Sequence, residues 1–351
     1  MDSGSSFSWG QVITKLMAGE SLAEEQASAA MIEIMEGAAT PAQIAGFVVA
    51  LRSKGETVDE VAGLVRTMRS YAKTVEVDGE LLDTCGTGGD RTGTFNVSTA
   101  AALVCAGAGA KVAKHGNRAA SSRCGSADVL EALGVAIDLP PEGVAGCINK
   151  AGIGFCFAPV FHPAMRHAAT PRRELGVATI FNFLGPLTNP AGATRQALGV
   201  ADPRMIDSMV STLGRLGSTR VLAFHGDQGL DELATSGFSE VVELKDGKVR
   251  RWTIDPSKLG LAQAPIDAVS GGTAAENAAH IRGVLAGEPG PRRDIVLLNA
   301  AAGLVAAGVA EEMSEGLERS AEAVDSRAAA EVLETLVETS QSLSAGTRAT
   351  N

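Results

Sequence analysis

LLDTCGTGGDRTGTFN, residues 81–96, followed directly by VSTAAALVCAGAGA, residues 97–110, is the stretch that decides the fold. A short apolar run breaks into a glycine-rich loop and then into a helix of small residues, so the segment reads as strand, loop and helix. Glycine allows positive φ and close backbone approach, which lets successive N–H groups converge on an anion. The helix behind the loop is expected to add free N–H groups and the positive end of its dipole. Gly86, Gly88, Gly89 and Gly93 fit neither the dinucleotide-binding nor the P-loop spacing. A plain glycine-rich turn stays open on these residues alone.

Two short segments concentrate positive charge in a chain whose net charge is −11. Residues 111–123 carry Lys111, Lys114, His115, Arg118 and Arg123, and residues 159–173 carry His162, Arg166, His167, Arg172 and Arg173, with no acid in either run. Cations gathered in this way suit an anionic ligand, although solvated surface charge is the alternative. Gly116, Asn117, Ser121, Ser122 and Ser126 supply small hydrogen-bonding groups beside the first run. A third element is Asp231-Glu232, which follows an apolar strand and a loop opened by Gly226 and Gly229. Adjacent carboxylates can converge on a loop, and converging carboxylates suit Mg²⁺, which fills its remaining positions with water and phosphate oxygens. A solvated turn is the other reading of the pair. Together the three elements are the parts needed to hold a magnesium-bound pyrophosphate.

Seven segments in order, GTGGD (86–90), NVST (96–99), KHGNRAASS (114–122), GSADVLEALG (125–134), FHPAMR (161–166), IFNFLGPLTNP (180–190) and GLDE (229–232), resemble the anthranilate phosphoribosyltransferase family. The likeness covers nearly the whole chain from about Val12 to the C-terminal helices. It implies transfer of phosphoribose from 5-phosphoribosyl 1-pyrophosphate to the amine of anthranilate, a step of tryptophan biosynthesis. It further implies Mg²⁺, two ions per subunit, and a homodimer formed through the helical domain. Carried over by position, Gly86, Gly89, Asp90, Thr94, Asn96, Val97, Ser98 and Thr99 match phosphoribosyl pyrophosphate contacts. So do Lys114, His115, Gly116, Asn117, Arg118, Ala119, Ala120, Ser121, Ser122 and Ser126. Gly86, Asn117 and Arg172 match anthranilate contacts, while Ser98, Asp231 and Glu232 match magnesium ligands. Lys114, Asn117 and Arg172 are the residues expected to carry catalysis. Arg172 offers a planar fork suited to the anthranilate carboxylate. His115 reads equally well as a structural histidine. Arg123 and Cys124 depart from the family pattern after the serine pair.

A nucleoside phosphorylase would share the fold but would not account for KHGNRAASS, LGPLTNP and GLDE together. A nucleic-acid-binding relative would need a broadly basic surface, which a net charge of −11 argues against. Hydrophobic residues make up 45% of the chain but aromatics only 4%, so the core must rest on Ala, Val, Leu and Ile. Five cysteines with no CxxC pair read as reduced thiols of a cytoplasmic protein, and Cys85 as a buried filler. The first residues lack the form of a signal peptide, and the apolar runs 100–110 and 297–310 are too short to span a bilayer.

Ser21–Glu24, Thr40–Gln43 and Thr57–Glu60 each have the form of a capping box, so residues 1–75 read as a small helical domain. From residue 76 to 351, strands at 112, 154–157, 197–200 and 221–224 alternate with helical stretches, which predicts an α/β domain with a mainly parallel sheet. Residues 240–254 predict a hairpin turning at Asp246-Gly247. The resemblance refines this to an α/β fold with an N-terminal helical domain. The architecture is that of the nucleoside-phosphorylase-like (class II) phosphoribosyltransferases, in which residues of about 163–190 re-enter the helical domain.

Overall fold

Threonine-headed capping boxes start two of the first four helices, α1 (Trp9–Met17), α2 (Glu24–Met35), α3 (Pro41–Lys54) and α4 (Val58–Ser70). Thr40 with Gln43 and Thr57 with Glu60 close capping boxes at the heads of α3 and α4. Ser21 does not cap α2, contrary to expectation; that helix begins at Glu24, where Gln26 accepts from the Ala23 N–H. The reason is tertiary. Leu22 is buried, and its N–H is taken by the Glu60 carboxylate at 2.8 Å, so the chain stays extended past Ser21. Glu60, fully buried, also accepts from Lys54 Nζ and from the Thr57 backbone and hydroxyl, and so ties three helices at one point.

The computed structural model describes residues 7–119 and 122–350, so Ala120 and Ser121 of the expected phosphate site lie outside it. After α4 come β1 (Leu82–Gly86), α5 (Val97–Gly107), β2 (Val112–Gly116), α6 (Ser126–Leu133), α7 (Pro141–Ala151) and β3 (Ile153–Phe157). Next are α8 (Ala158–Phe161), α9 (Arg166–Leu175), α10 (Phe181–Leu184), β4 (Arg195–Gly199), α11 (Ile206–Arg215) and β5 (Arg220–His225). The antiparallel hairpin β6 (Ser239–Lys245) and β7 (Lys248–Ile254) turns through Asp246 and Gly247, both at positive φ. Four helices, α12 (Ala274–Leu285), α13 (Pro291–Ala307), α14 (Met313–Asp325) and α15 (Ala328–Thr350), complete the chain.

The seven strands form one sheet in the order β3-β2-β1-β4-β5-β6-β7, parallel from β3 to β5. The chain runs outward from β1 to β3 and then returns to the other side of β1 at β4. That reversal opens a crevice at the carboxyl ends of β1 and β4, where ligands of open α/β sheets bind. Gly86 and Gly199 are register partners at that edge.

Each sheet face buries its own core. Leu82, Leu222 and Phe224 pack with α5 and α13 on one face, through Leu103, Leu298 and Leu304. Leu198, Val221, Ala223 and Val242 pack on the other with Ile44, Phe47, Leu51, Val61 and Val65 of the helical bundle. Ala168, Ile180, Phe181, Leu184 and Leu187 join this second core, and α9 packs on α2 and α3. Each such side chain contributes about 1.5–3 kcal/mol on burial. All five cysteines are buried free thiols. Among the described residues no helix is long and apolar enough to cross a membrane.

A polar seam fastens the segment before β4 to the sheet. The His115 ring, on β2, donates through Nδ1 to the Gly185 carbonyl at 3.1 Å, and the His162 ring through Nε2 to the Thr188 carbonyl at 3.0 Å. A carbonyl only accepts, so those nitrogens carry the protons. Asn189 Nδ2 donates to the Ala113 carbonyl and Gln196 Nε2 to the Pro186 carbonyl, each at 2.7 Å. Burial holds both imidazoles neutral, His115 down to about 3 and His162 to about 4. A depressed histidine contributes stability that is complete above the unfolded value of about 6.5 and is lost as pH falls toward the folded one. We therefore expect melting temperature to fall between pH 6.5 and 4.5, with each ring adding a slope of about 1.4 kcal/mol per pH unit. His162→Gln should flatten that slope in a calorimetric pH series; an unchanged slope would contradict the assignment.

Candidate active site

Gly86 ends β1 and hands the chain to the glycine loop, whose turns place Gly88, Gly89, Arg91 and Gly93 at positive φ. Thr87 anchors its start, donating its N–H to the Gly199 carbonyl at 2.9 Å and accepting from the Ala201 N–H at 3.0 Å. Asp90 closes a local turn by accepting from the Thr92 N–H and hydroxyl. The far side is held by a bridge between Thr94 and Ser270 and by the Asn96 side chain. Its Oδ1 accepts from Asn277 Nδ2 at 2.9 Å and its Nδ2 donates to the Cys124 carbonyl at 3.2 Å. Among the described residues the N–H groups of Gly89, Asp90 and Arg91 have no protein acceptor and are available to an anion.

The expectation of free N–H groups at the head of α5 needs correction. Ser98 N donates to Glu232 Oε1 at 3.0 Å, Val97 N to the Phe95 carbonyl, and Thr99 N and Ala100 N to the Asn96 carbonyl. A carboxylate is a favourable group at a helix N-terminus, so Glu232 caps α5 across the fold. The side chains of Val97 and Thr99 are buried, which leaves Ser98 as the partly exposed side chain of that first turn.

Asp231 and Glu232 do not form a solvated turn: Glu232 is only 8% exposed and Asp231 is half-buried. Asp231 Oδ2 accepts from the Gly88 N–H at 2.7 Å. A Cβ at Gly86 or at Gly199 would overlap Asp231, so both strand ends must be glycine for the acid pair to sit between them. Burial pushes Asp231 up to about 7, helped by the neighbouring Asp90 charge, and Glu232 up to about 8, helped by Asp231. Three carboxylates, Asp90, Asp231 and Glu232, thus repel one another in one place. Hard oxygen donors crowded together in this way fit Mg²⁺. Among the described residues no three His, Cys, Asp or Glu side chains stand at metal-binding spacing.

The basic segments divide. Lys111 lies at the opposite end of β2 and donates to the Asp78 carbonyl, and Arg118 pairs with Asp128 and Glu131 across α6. Lys111 is thus engaged by a backbone carbonyl, and Arg118 by the two acids that the helix brings within reach. Lys114, 2% exposed, lies beneath the loop rather than on it, with Nζ 2.5 Å from the Thr84 carbonyl and 3.5 Å from Ser98 Oγ. Burial lowers it, while the Asp83 and Glu232 charges favour its ammonium form. His115 is turned to the other sheet face, against Gly185, away from the loop. Asn117 is exposed at the end of β2, and its carbonyl accepts from the Ala127 N–H and from Ser126 Oγ. Ser122 is exposed beyond the undescribed pair, and the exposed Arg123 and buried Cys124 end that loop.

Arg172 stands on α9 with its guanidinium over the Phe181 ring at 5.4 Å. No carboxylate pairs with it among the described residues, so it keeps its fork for an outside acid. Arg172 and Asn117 make no hydrogen bond to the loop or to the acid pair. Residues the sequence reading passed over support the site. Asp128 accepts from both the Ala119 and Gly125 N–H groups, pinning the two ends of the serine loop on one carboxylate. Asn277 fixes Asn96, and Asn299 lies behind the acid pair. An asparagine inside an apolar run, as in LLNAAA, was the available signal for Asn299.

Comparison with known proteins defines first a class. The chain matches the helical bundle domain of a glycosyl transferase family over residues 10–72 and its a/b domain over residues 78–330. It is 53% identical over 335 residues to the anthranilate phosphoribosyltransferase of Pelotomaculum thermopropionicum, covering 95% of this chain and 97% of that one. The crystal structure of anthranilate phosphoribosyltransferase from Thermus thermophilus superposes with a TM-score of 0.89 at 48% identity, covering 94% of this chain and 99% of that one. The Saccharomyces cerevisiae enzyme, in complex with PRPP and Mg, superposes with a TM-score of 0.87 at 26% identity, covering 96% and 99%. The chain belongs to the anthranilate phosphoribosyltransferase family, with its α/β fold and N-terminal helical bundle.

Carboxylates raised by burial must lose protons before they can hold a cation. Magnesium affinity should therefore rise with pH through about 7–8 and level off above. Calorimetric titration at pH 7 in two buffers of different ionisation heat should show proton release on binding; identical heats would refute the coupling.

Proposed function

We propose that this chain transfers the phosphoribosyl group of 5-phosphoribosyl 1-pyrophosphate to the amine of anthranilate, releasing pyrophosphate. The observation that carries the reading is the acid pair set against Gly86, Gly88 and the head of α5 at the switch point of the sheet. Phosphoribosyl pyrophosphate binds on the open N–H groups of Gly89 and Asp90, with Gly86, Thr94, Asn96, Val97, Ser98 and Thr99 forming the wall behind. Lys114, Gly116, Asn117, Arg118, Ala119, Ser122 and Ser126 form its other side. Anthranilate meets it near Gly86 and Asn117, with Arg172 on the carboxylate. Ser98, Asp231 and Glu232 hold magnesium, two ions per subunit, with Asp90 close enough to the pair to share the charge. When bound, magnesium supplies positive charge to the pyrophosphate.

The reaction is a displacement at the anomeric carbon with oxocarbenium character, for which the protein needs no covalent nucleophile. The loop N–H groups stabilise charge on the departing oxygens. Lys114 acts from beneath, balancing Glu232 and Asp83. Arg172, set over the Phe181 ring, orients the amine by fixing the carboxylate, which turns an encounter into a reaction of positioned groups. A neutral aromatic amine is nucleophilic without a strong base.

Residues 1–75 with 163–190 form the helical domain in this reading, and residues 76–351, apart from that re-entry, the α/β domain. The shared apolar core of Ala168, Ile180 and Leu184 with the bundle supports this division. A homodimer through the bundle is supported by apolar side chains left exposed on its helices, Met17, Ile32 and Val49. The buried free thiols suit the cytoplasm.

Loss of anthranilate fluorescence on mixing with phosphoribosyl pyrophosphate, with and without Mg²⁺, tests the reaction; no loss with folded protein would overturn it. Arg172→Ala should raise the KM for anthranilate roughly 10- to 100-fold, as a lost charged hydrogen bond does, with the KM for phosphoribosyl pyrophosphate nearly unchanged. The double variant Asp231→Asn with Glu232→Gln keeps acceptors for Gly88 and Ser98 and removes buried charge. It should fold and lose magnesium-dependent turnover, and wild-type rates at limiting magnesium would disprove the metal assignment.

A further inference from the structure

Asn299 sits in the middle of α13 and is only 3% exposed. A buried amide costs free energy unless its donors and acceptor are satisfied. Oδ1 accepts from the Leu233 N–H at 2.8 Å, and Nδ2 donates to the Leu233 carbonyl and to the Ile295 carbonyl, both at 2.9 Å. The side chain thus pairs with both backbone groups of one residue, as a neighbouring strand would. Leu233 directly follows Asp231 and Glu232 and is itself fully buried.

The loop is fastened on either side of the pair. Gly226 N donates to the Leu230 carbonyl at 2.8 Å before it, and Ala234 N to Ser239 Oγ at 2.9 Å after it. Those two bonds are local to the loop and its flanking strands. Asn299 reaches the Leu233 backbone from helix α13, packed in the same core, and no other side chain bonds to that residue among those described. Its removal would leave the N–H and carbonyl of Leu233 unpaired within a core that excludes water, so the turn would have to shift to find partners. A shift there moves Glu232 off the Ser98 N–H and Asp231 off the Gly88 N–H, because one short turn carries all three residues.

We propose that Asn299 is a positioning residue for the Asp231–Glu232 pair, so that cation affinity at the substrate cleft is set in part from helix α13. The proposal rests on the reading of that pair as magnesium ligands. Asn299 touches neither substrate nor cation; it acts through the backbone of Leu233. Supporting groups behind metal ligands change affinity by roughly 10- to 100-fold when removed.

The test compares full-length Asn299→Leu with Leu298→Ala, a change at an equally buried neighbour on the same helix that has no bond to the loop. Hydrogen exchange of residues 226–236, followed by mass spectrometry without ligand, should speed up in Asn299→Leu and stay as in the wild type in Leu298→Ala. The magnesium concentration for half-maximal turnover should rise roughly 10- to 100-fold in Asn299→Leu alone, with the KM for anthranilate unchanged. Asn299→Asp, which keeps the acceptor for the Leu233 N–H, should fall between the two. Unchanged loop exchange in folded Asn299→Leu, an unchanged magnesium requirement, or an equal rise in Leu298→Ala would each overturn the proposal. Glu232→Gln reports separately: if its magnesium requirement equals that of the wild type, the cation reading itself fails, whatever Asn299 does.

Discussion

Two carboxylates, one buried and one half-buried, at the carboxyl ends of β1 and β4 constrain everything around them. Charge in such a place is costly unless it is met by donors or a cation. Gly88 and Ser98 offer N–H groups, Lys114 stands below, and burial still raises both acids toward neutral pH. The strand ends beside them have no room for side chains, which explains glycine at both 86 and 199. A site with its acids so confined and a loop with unspent N–H groups has room for a polyanion only together with positive charge. That is the chemistry of a magnesium-bound pyrophosphate.

The same constraint links the two halves of the chain. The sheet presents its crevice at the reversal from β3 to β4, and the segment that makes this return crosses to the helical bundle and back. Apolar contacts of Ile180, Leu184 and Leu187 hold the segment to the bundle, His115, Asn189 and Gln196 hold it to the sheet, and His162 ties its start to its end at Thr188. Neutral imidazoles serve here because they bond to carbonyls without carrying charge into the core. Arg172 rides on this segment, so the group suited to a carboxylate comes from one element and the phosphate loop from another.

Much of this was legible in residues alone. The capping pairs at Thr40 and Thr57, the alternation of strands and helices, the hairpin at Asp246-Gly247 and the glycine loop each rest on local rules that the surroundings did not override. The misreadings share a cause. Ser21 lost its helix because Glu60 took the neighbouring N–H. The head of α5 is occupied because a glutamate more than a hundred residues away caps it. Asp128, Asn277 and Asn299 went unnoticed because a single polar residue in a helix shows no pattern until its partner is known.

The sequence by itself determined the kinds of groups present, their order, and the local turns that let a backbone cradle an anion, because those depend on neighbours along the chain. The tertiary structure alone decided which acids would be buried together, which cations would remain unpaired, and that Asn299 would brace the turn carrying Asp231 and Glu232. Protonation, desolvation and hydrogen-bond pairing depend on distance in space, and strands far apart in the chain meet only once the sheet has formed.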